Sequence, residues 1–391
     1  MIQLAALLTI LASGVTAVGP PIAIFDKSNF LHQDLYDYSP EQQAAWEASR
    51  YASQALRIDL GSISTKEVWA IEEAQVNLRP VPWFAVHLDL QDDRAREEEV
   101  TGLSADLAFR VAPRVELMVT GSPGARKDQG ALGLGTLIAS DDHTQYAVAR
   151  VIDDRPFFNG KNSEGGIRNS AQWRVQSEVR AAQQGFSGWL KLDWGSAVEI
   201  RYPADHQSPS AEGGQRAALD FHLRWVPAAW MASDGGFGLR GTVRLLSSDR
   251  TDPAGQTSLR RVIAFGRVYA MFPLRAGFSL YAVLLGASDR GYGRDAGLPF
   301  TYARWDLGAR ASLVKDFHPL RVELGYSAVR TRRVVNPLPD PADLLESEVA
   351  DKAYVSIEWY PRRNIYLRFL ISHQVASGSF AGMNGMFGAI F

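Results

Sequence analysis

Residues 304–313 of the chain read RWDLGARASL, and nearly every second residue in this run is apolar. Trp305 and Leu307 belong to the apolar set, whereas Asp306 and Arg310 belong to the polar set. A period of two places the two sets on opposite faces of an extended strand. The run therefore predicts a β-strand with one apolar face and one charged face.

The same alternation recurs along the chain from about residue 56 to its end, for example in 103–111, 219–225 and 320–327. A tilted strand needs about 9–11 residues to cross a bilayer, whereas strands of soluble proteins are usually about 5–6 residues long. Because the alternating runs extend over about 10–13 residues, they favour a membrane-spanning barrel over a soluble sandwich.

Aromatic residues gather at strand ends beside short turns. Trp225 and Trp230 flank Pro227, and Trp359 and Tyr360 precede Pro361. Aromatic girdles of this kind lie at the membrane interfaces of β-barrels. At the opposite strand ends we predict longer polar loops, at 91–99, 121–129, 155–168, 202–214, 248–256, 287–299 and 332–348.

The pattern predicts eighteen strands, an even number that lets antiparallel strands close into a barrel. A count of sixteen is the alternative, because the patterns at 55–63, 129–140 and 144–154 are the least regular. The predicted strands lie at 55–63, 66–79, 82–91, 100–112, 115–121, 129–140, 144–154, 169–182, 186–201, 215–226, 236–247, 257–271, 275–286, 300–313, 319–331, 349–360, 364–375 and 379–391.

Composition excludes several classes of function. The chain has 391 residues, with 41 Lys and Arg against 43 Asp and Glu, so it carries no basic surplus that would favour nucleic acid. It has no Cys, which excludes disulfide frameworks, thiolate metal sites and thiol catalysis. Beyond the N-terminus no run of about 18 apolar residues predicts a transmembrane helix. We predict neither a cofactor nor a metal site.

The N-terminal part differs from the rest. Residues 1–17 resemble an export signal, with a short apolar core and the small residues Val15-Thr16-Ala17 before the predicted cleavage point. Residues 18–54 lack alternation and form a predicted N-terminal periplasmic or plug segment. Within it, Ser39-Pro40-Glu41 provides an N-cap, a first-turn proline and an early acid for a helix that runs to about residue 52. Residues 55–391 form the predicted barrel.

The last strand, SFAGMNGMFGAIF at 379–391, ends in an aromatic residue with apolar residues at alternate positions before it. With the export signal and the uniform meander, it resembles the Gram-negative outer-membrane β-barrel proteins. The resemblance implies a porin-like, transmembrane, antiparallel up-and-down barrel in the outer membrane, in contact with its lipid and lipopolysaccharide. It further implies that Phe391, Ala389 and Phe387 form the signal that the barrel-assembly machinery reads.

Strand parity separates the residues that face the barrel interior from those that face lipid. The interior set is polar, mixed in sign and slightly cationic, and it includes tyrosines. Cross-strand pairing of these charges is the structural alternative to a role in solute passage. The predicted channel-lining residues are Asp106, Arg110, Arg174, Glu178, Arg180, Lys191, Asp193, Asp220, His222, Arg224, Arg240, Arg244, Arg304, Asp306, Arg310, Arg321, Glu323, Tyr354, Glu358, Tyr366 and Arg368.

Three functions fit a polar barrel of this size. The first resembles the eighteen-stranded barrels that export a surface polysaccharide together with a periplasmic export protein. The second is a passive diffusion porin for small hydrophilic or weakly anionic solutes. The third, which we do not favour, is a barrel-type outer-membrane hydrolase, for which Asp220 and His222 are the candidate pair because they share the interior parity.

Overall fold

The structure is a computed structural model, and it describes most of the chain from residue 55 onward. The predicted export signal, the predicted 18–54 segment with the helix expected within it, and Phe391 all lie outside the described residues. The described stretches are 55–64, 68–94, 99–122, 131–141, 145–153, 161–162, 166–203, 210–231, 235–252, 255–295, 298–337, 344–362 and 365–390.

The described residues form one antiparallel sheet, with two single 3-10 turns at Ala228–Trp230 and Arg275–Gly277. None of the helical segments described is long and apolar enough to cross a membrane. The strands are β1 Ala55–Ser64, β2 Val68–Val81, β3 Phe84–Arg94, β4 Glu99–Ala112, β5 Val115–Ser122, β6 Ala131–Ala139, β7 Tyr146–Asp153, β8 Lys161–Asn162, β9 Gly166–Gln183, β10 Phe186–Pro203, β11 Ser210–Trp225, β12 Gly236–Asp252, β13 Gly255–Pro273, β14 Phe278–Asp295, β15 Leu298–Asp316, β16 Leu320–Pro337, β17 Leu344–Arg362, β18 Ile365–Gln374 and β19 Ser379–Ile390.

The sheet closes on itself. Each long strand pairs with its neighbour in sequence, and β7 pairs with β9 past the two-residue strand β8. The last strand, β19, pairs with β1 from Arg57 opposite Ile390 to Ser64 opposite Met383. Eighteen long strands therefore form a closed up-and-down barrel, as the alternation predicts, and closure removes the exposed sheet edges.

The two faces of the wall have opposite chemistry. The large apolar side chains of one face are exposed, with Leu284 at 67% and Leu307 at 71%. The other face is buried and polar, and Arg310 and Glu323 are less than a tenth exposed. We call the buried side the interior face and the exposed apolar side the exterior face. An apolar exterior is stable only in lipid, so the predicted fold class, an all-β transmembrane barrel, is confirmed.

One end of the barrel carries tight turns, at residues 82–83, 113–114 and 184–185, and we call it the turn end. Aromatic rings cluster there. Trp83 stacks on Phe109 with ring centroids 6.5 Å apart, and Trp230 stacks on Phe237 at 5.3 Å. Because the short turns of outer-membrane barrels are periplasmic, the turn end faces the periplasm. We call the opposite end the loop end.

The predicted strand bounds are too short at the loop end. We predicted a polar loop at 287–299, yet β14 continues to Asp295 and β15 begins at Leu298. Likewise, β12 and β13 leave only residues 253–254 between them. Backbone pairing continues beyond the bilayer, but both faces there are polar, so the alternation that marks a strand disappears first. At the turn end, residues 275–277 form a 3-10 turn, whereas we predicted that the strand would begin at 275.

Candidate functional site

The interior face is the candidate site, and the strand register places all the predicted channel-lining residues on it. Arg174 and Tyr366 are placed by backbone register alone, opposite Ile152 and Gly388. Arg244 is exposed within the interior, whereas most of the set is buried or half-buried. Passage of a solute among these side chains stays a prediction. Of the predicted assembly-signal residues, Phe387 and Ala389 lie on β19.

A continuous series of five rings and one arginine crosses the interior face from β10 to β17. We call it the aromatic belt. Its ring centroids lie 6.1, 6.0 and 6.1 Å apart in turn, and its arginine lies 5.2 Å from the preceding ring and 4.8 Å from the last. In order, the belt consists of Trp189, His222, Tyr269, Tyr281, Arg310 and Tyr354.

Hydrogen bonds connect the belt at both halves. The Nε2 atom of His222 lies 2.8 Å from the hydroxyl of Tyr269, two strands away. At the other half, Arg310 Nε donates to the Tyr354 hydroxyl at 2.5 Å, and this hydroxyl donates to Glu323 at 2.7 Å. Arg310 also donates directly to Glu323. A buried charge is stable only when it is paired and hydrogen-bonded in this way.

Glycines in the neighbouring strands allow the tyrosine rings to lie flat against the wall. A Cβ at Gly238 would lie 2.0 Å from Cζ of Tyr269, and a Cβ at Gly325 would lie 2.2 Å from Cζ of Tyr354. Both glycines therefore provide the space that the ring occupies. The arrangement holds the hydroxyls at fixed positions along the interior wall.

Gly238→Ala is expected to lower the free energy of unfolding by about 1–3 kcal/mol, because overpacking forces the Tyr269 ring away from the wall. Urea unfolding in lipid vesicles measures the effect. Gly266→Ala is the matched control, since a Cβ there has only one neighbour, at 3.9 Å. Equal unfolding midpoints for the two variants would contradict the packing described.

A second polar network lies on the opposite part of the wall, on β2 to β7. Arg150 Nη1 donates to both carboxylate oxygens of Asp106 at 3.0 Å, reaching across two strands. Thr120 donates to the same carboxylate at 2.7 Å. Nearer the turn end, Arg79 pairs with Glu116 at 2.6 Å. These pairs hold strands that are not hydrogen-bonded neighbours at a fixed separation.

Further ion pairs occupy other parts of the interior face. Towards the loop end, Arg304 contacts Asp306 at 2.9 Å, and Arg261 donates to both oxygens of the Asp289 carboxylate, at 2.9 and 2.6 Å. Nearer the turn end on β17 and β18, Arg368 lies 3.5 Å from Glu358. The Arg261–Asp289 and Arg368–Glu358 contacts are cross-strand pairs, the structural alternative stated above, whereas Arg304 and Asp306 lie two positions apart on β15.

The β9–β10 part of the wall contains buried donors without acceptors among the described residues, as does β4 at Arg110 Nε. Arg180 and Trp189 are opposite each other in the ladder. The Nε and Nη1 atoms of Arg180 and the Nε1 atom of Trp189 have no hydrogen-bond partner in the described structure. Asp193 uses one carboxylate oxygen to accept from Gln176 at 2.9 Å, and its other oxygen has no partner. Such groups cost stability until something satisfies them.

The candidate hydrolase pair has separate partners. His222 bonds to Tyr269, whereas the Asp220 carboxylate accepts from Thr242 at 2.5 Å. His222 is only 2% exposed. Across the described stretches, no group of three or more His, Asp or Glu side chains has the spacing of a metal site.

Sequence reasoning missed several members of the site, including Trp189, Tyr269 and Arg150. Trp189 has the same parity as Lys191, and Tyr269 has the same parity as Arg267, so strict parity would have found both. Apolar and aromatic residues of the interior face are hard to separate from lipid-facing residues by composition, because both faces of a barrel use them.

These features define the chain as an outer-membrane β-barrel: a closed antiparallel meander with an apolar exterior, an aromatic girdle at the turn end and a charged interior. No family model and no curated protein matches it in sequence.

Solved structures with distant similarity are all barrels, but none resembles the chain closely enough to bear on its function. CdiB from Acinetobacter baumannii aligns at 8% identity and a TM-score of 0.41, over 86% of this chain and 60% of CdiB, so the chain spans less than two thirds of that protein. A loop-deletion mutant of OmpT, an outer membrane protein of Vibrio cholerae, aligns at 9% identity and a TM-score of 0.35, over 86% of this chain and 97% of the mutant. The siderophore receptor PirA from Pseudomonas aeruginosa aligns at 9% identity and a TM-score of 0.34, over 88% of this chain and 81% of the receptor.

Proposed function

We propose that the barrel is a conduit for the export of a surface polysaccharide, which a periplasmic export protein delivers to the turn end. The observation that carries this proposal is the set of buried donors of Arg180 and Trp189 beside the aromatic belt. A sugar polymer supplies the missing acceptors through its hydroxyl or carboxylate oxygens. Its C–H faces pack on aromatic rings, whose surfaces combine apolar area with polar edges.

The position of the belt supports loading from the periplasm. Strand β10 begins at the turn end with Phe186, and Trp189 follows three positions later. In the same way, β14 begins at the turn end with Phe278, and Tyr281 follows three positions later. Tyr269 is likewise three positions from Phe272 of the aromatic girdle. The belt therefore lines the turn-end mouth, where a polymer that arrives from the periplasm makes its first contacts.

Burial of the interior charges favours export over passive diffusion. Arg150, Glu178 and Arg310 are each less than a tenth exposed, although an eighteen-stranded barrel is wide enough to hold water. A passive porin keeps such groups hydrated, because its solutes pass among them in water. Paired and buried interior charges are the expected resting state of a conduit that opens only when its partner or its polymer engages it.

Planar-bilayer recording of the purified full chain tests the proposal. We expect a closed baseline with openings that an oligouronate, added on the turn-end side, interrupts in a concentration-dependent manner. The double variant Arg180→Gln/Trp189→Phe is expected to require about tenfold more oligouronate for the same block, because it removes buried charge-assisted donors.

The control is Tyr292→Phe, since Tyr292 is 62% exposed on the exterior face and its substitution should leave the block unchanged. A large, steady conductance that oligouronate does not interrupt would contradict the export function and support the passive porin. In cells, loss of the gene is expected to reduce surface polysaccharide; unchanged surface polysaccharide would also count against export.

A further inference from the structure

Three arginines lie among the mainly apolar side chains of the exterior face. Arg290 on β14 and Arg330 and Arg332 on β16 are exposed, and they lie on either side of Trp305 on β15. The guanidinium of Arg290 lies 5.3 Å from the centroid of the Trp305 ring, and its Nε donates to Ser288 at 3.2 Å. Arg290 and Trp305 thus form a cation–π pair, and we call this pair together with Arg330 and Arg332 the cluster.

The depth of the cluster follows from the turn-end girdle on the same strands. There, Lys315 Nζ lies 4.4 Å from the ring centroid of Phe278. Arg290 follows Phe278 by twelve positions and Trp305 precedes Lys315 by ten. At about 3.4 Å per residue and a tilt near 45°, these separations correspond to about 24–29 Å along the membrane normal, close to the ~25 Å apolar band of an outer-membrane barrel. The cluster therefore lies at the interface of the outer leaflet.

None of the three arginines forms an ion pair with any carboxylate in the part of the chain that the structure describes. Their nearest exterior neighbours along β15 are Trp305 and Leu307. Unpaired cations on the exterior face are stable at the interface, where headgroup phosphates neutralise them, but not in the hydrocarbon. In the described stretches, then, no carboxylate neutralises the three arginines.

A groove beside the cluster provides space for a hydrocarbon chain. It encloses about 720 Å³, and small residues form its floor because Gly266 and Gly286 have no side chains to fill it. Leu307 and Trp305 line its sides, and Arg330 and Arg332 lie at its edge. Cations therefore border an apolar groove, as a lipid with a charged head and apolar tails requires.

We propose that this cluster binds one phosphorylated glycolipid of the outer leaflet, with its phosphate on Arg290, Arg330 and Arg332 and an acyl chain in the groove. The proposal rests on the position of the barrel in the bilayer and is independent of the exported solute. The proposed ligand is a lipid phosphate, because free inorganic phosphate lacks the acyl chain that the groove accommodates.

Native mass spectrometry of the full chain, released from micelles that contain bisphosphorylated lipid A, tests the proposal. We expect one lipid A to remain bound to the native protein. Arg330→Gln/Arg332→Gln is expected to lower its affinity by about tenfold or more, because each arginine supplies a charge-assisted hydrogen bond. Arg275→Gln, an exposed arginine at the turn end, is the matched control and should retain the lipid.

Two comparisons on the native protein keep the test independent of variant folding. Lipid A stripped of its phosphates, and inorganic phosphate alone, are each expected to bind at least tenfold more weakly than the intact lipid. Equal retention of dephosphorylated lipid A, or of lipid A by the double variant, would overturn the proposal.

Discussion

Replacing Arg310 with Met is expected to lower the free energy of unfolding by about 3–5 kcal/mol, the usual cost of leaving one partner of a buried ion pair without its counter-charge. The side chains of Arg310 and Glu323 are only 5% and 10% exposed, so water cannot compensate for the loss. The substitution also removes the donor to Tyr354 and the cation beside Tyr281. Urea unfolding of the barrel in lipid vesicles, followed by tryptophan fluorescence, measures the change.

The double variant Arg310→Met/Glu323→Gln separates charge from packing. If the uncompensated Glu323 carboxylate causes the loss, removal of its charge should restore at least half of the stability, because a neutral pair needs no counter-ion. Arg114→Met is the control, since Arg114 pairs with Asp141 while 66% exposed, and exposed pairs contribute about 0–1 kcal/mol. An Arg310→Met variant as stable as this control would contradict the role of the pair.

Leu284→Arg is expected to destabilise the barrel by about 2–4 kcal/mol, the cost of an arginine on the lipid face at the bilayer midplane. Leu284 is 67% exposed on the exterior face. It follows Phe278 of the turn-end girdle by six positions, about half of the distance across the apolar band. Unfolding in vesicles again measures the effect.

The same substitution at Tyr292 is the positional control. Tyr292 has a similar exposure, 62%, and lies on the same strand and face, but eight positions nearer the loop end. An arginine there lies at or beyond the interface and should cost about 0–1 kcal/mol. Equal costs at the two positions would mean that β14 does not cross the bilayer as described.

Strand number and strand parity could be predicted because one physical rule acts along the whole barrel. Lipid contacts one face and not the other, so alternate residues differ in polarity wherever the wall crosses the membrane. Arg310 and Glu323 were thus assigned to the interior from parity alone, and the ladder places them on one face. The regular alternation of apolar and polar residues also predicts eighteen strands.

Strand ends at the loop end could not be predicted, because the two faces of a strand differ in polarity only where the wall crosses the apolar part of the membrane. Beyond that part, both faces of β14 and β15 are polar, and the residues 287–299 look like a loop although most of them pair. Backbone hydrogen bonds maintain this pairing whatever the side chains are. The partners of individual interior residues were equally beyond prediction.

By itself, the sequence determined the barrel architecture and the face on which each charge lies, and it favoured eighteen strands over sixteen, since these follow from the period of two within each strand. Only the tertiary structure decided which side chains meet. His222 reaches Tyr269 two strands away, and Arg150 reaches Asp106 three strands away. Such contacts depend on register, on the curvature of the wall and on glycines such as Gly238 that leave room for a ring, and none of these is encoded in the alternation of a single strand.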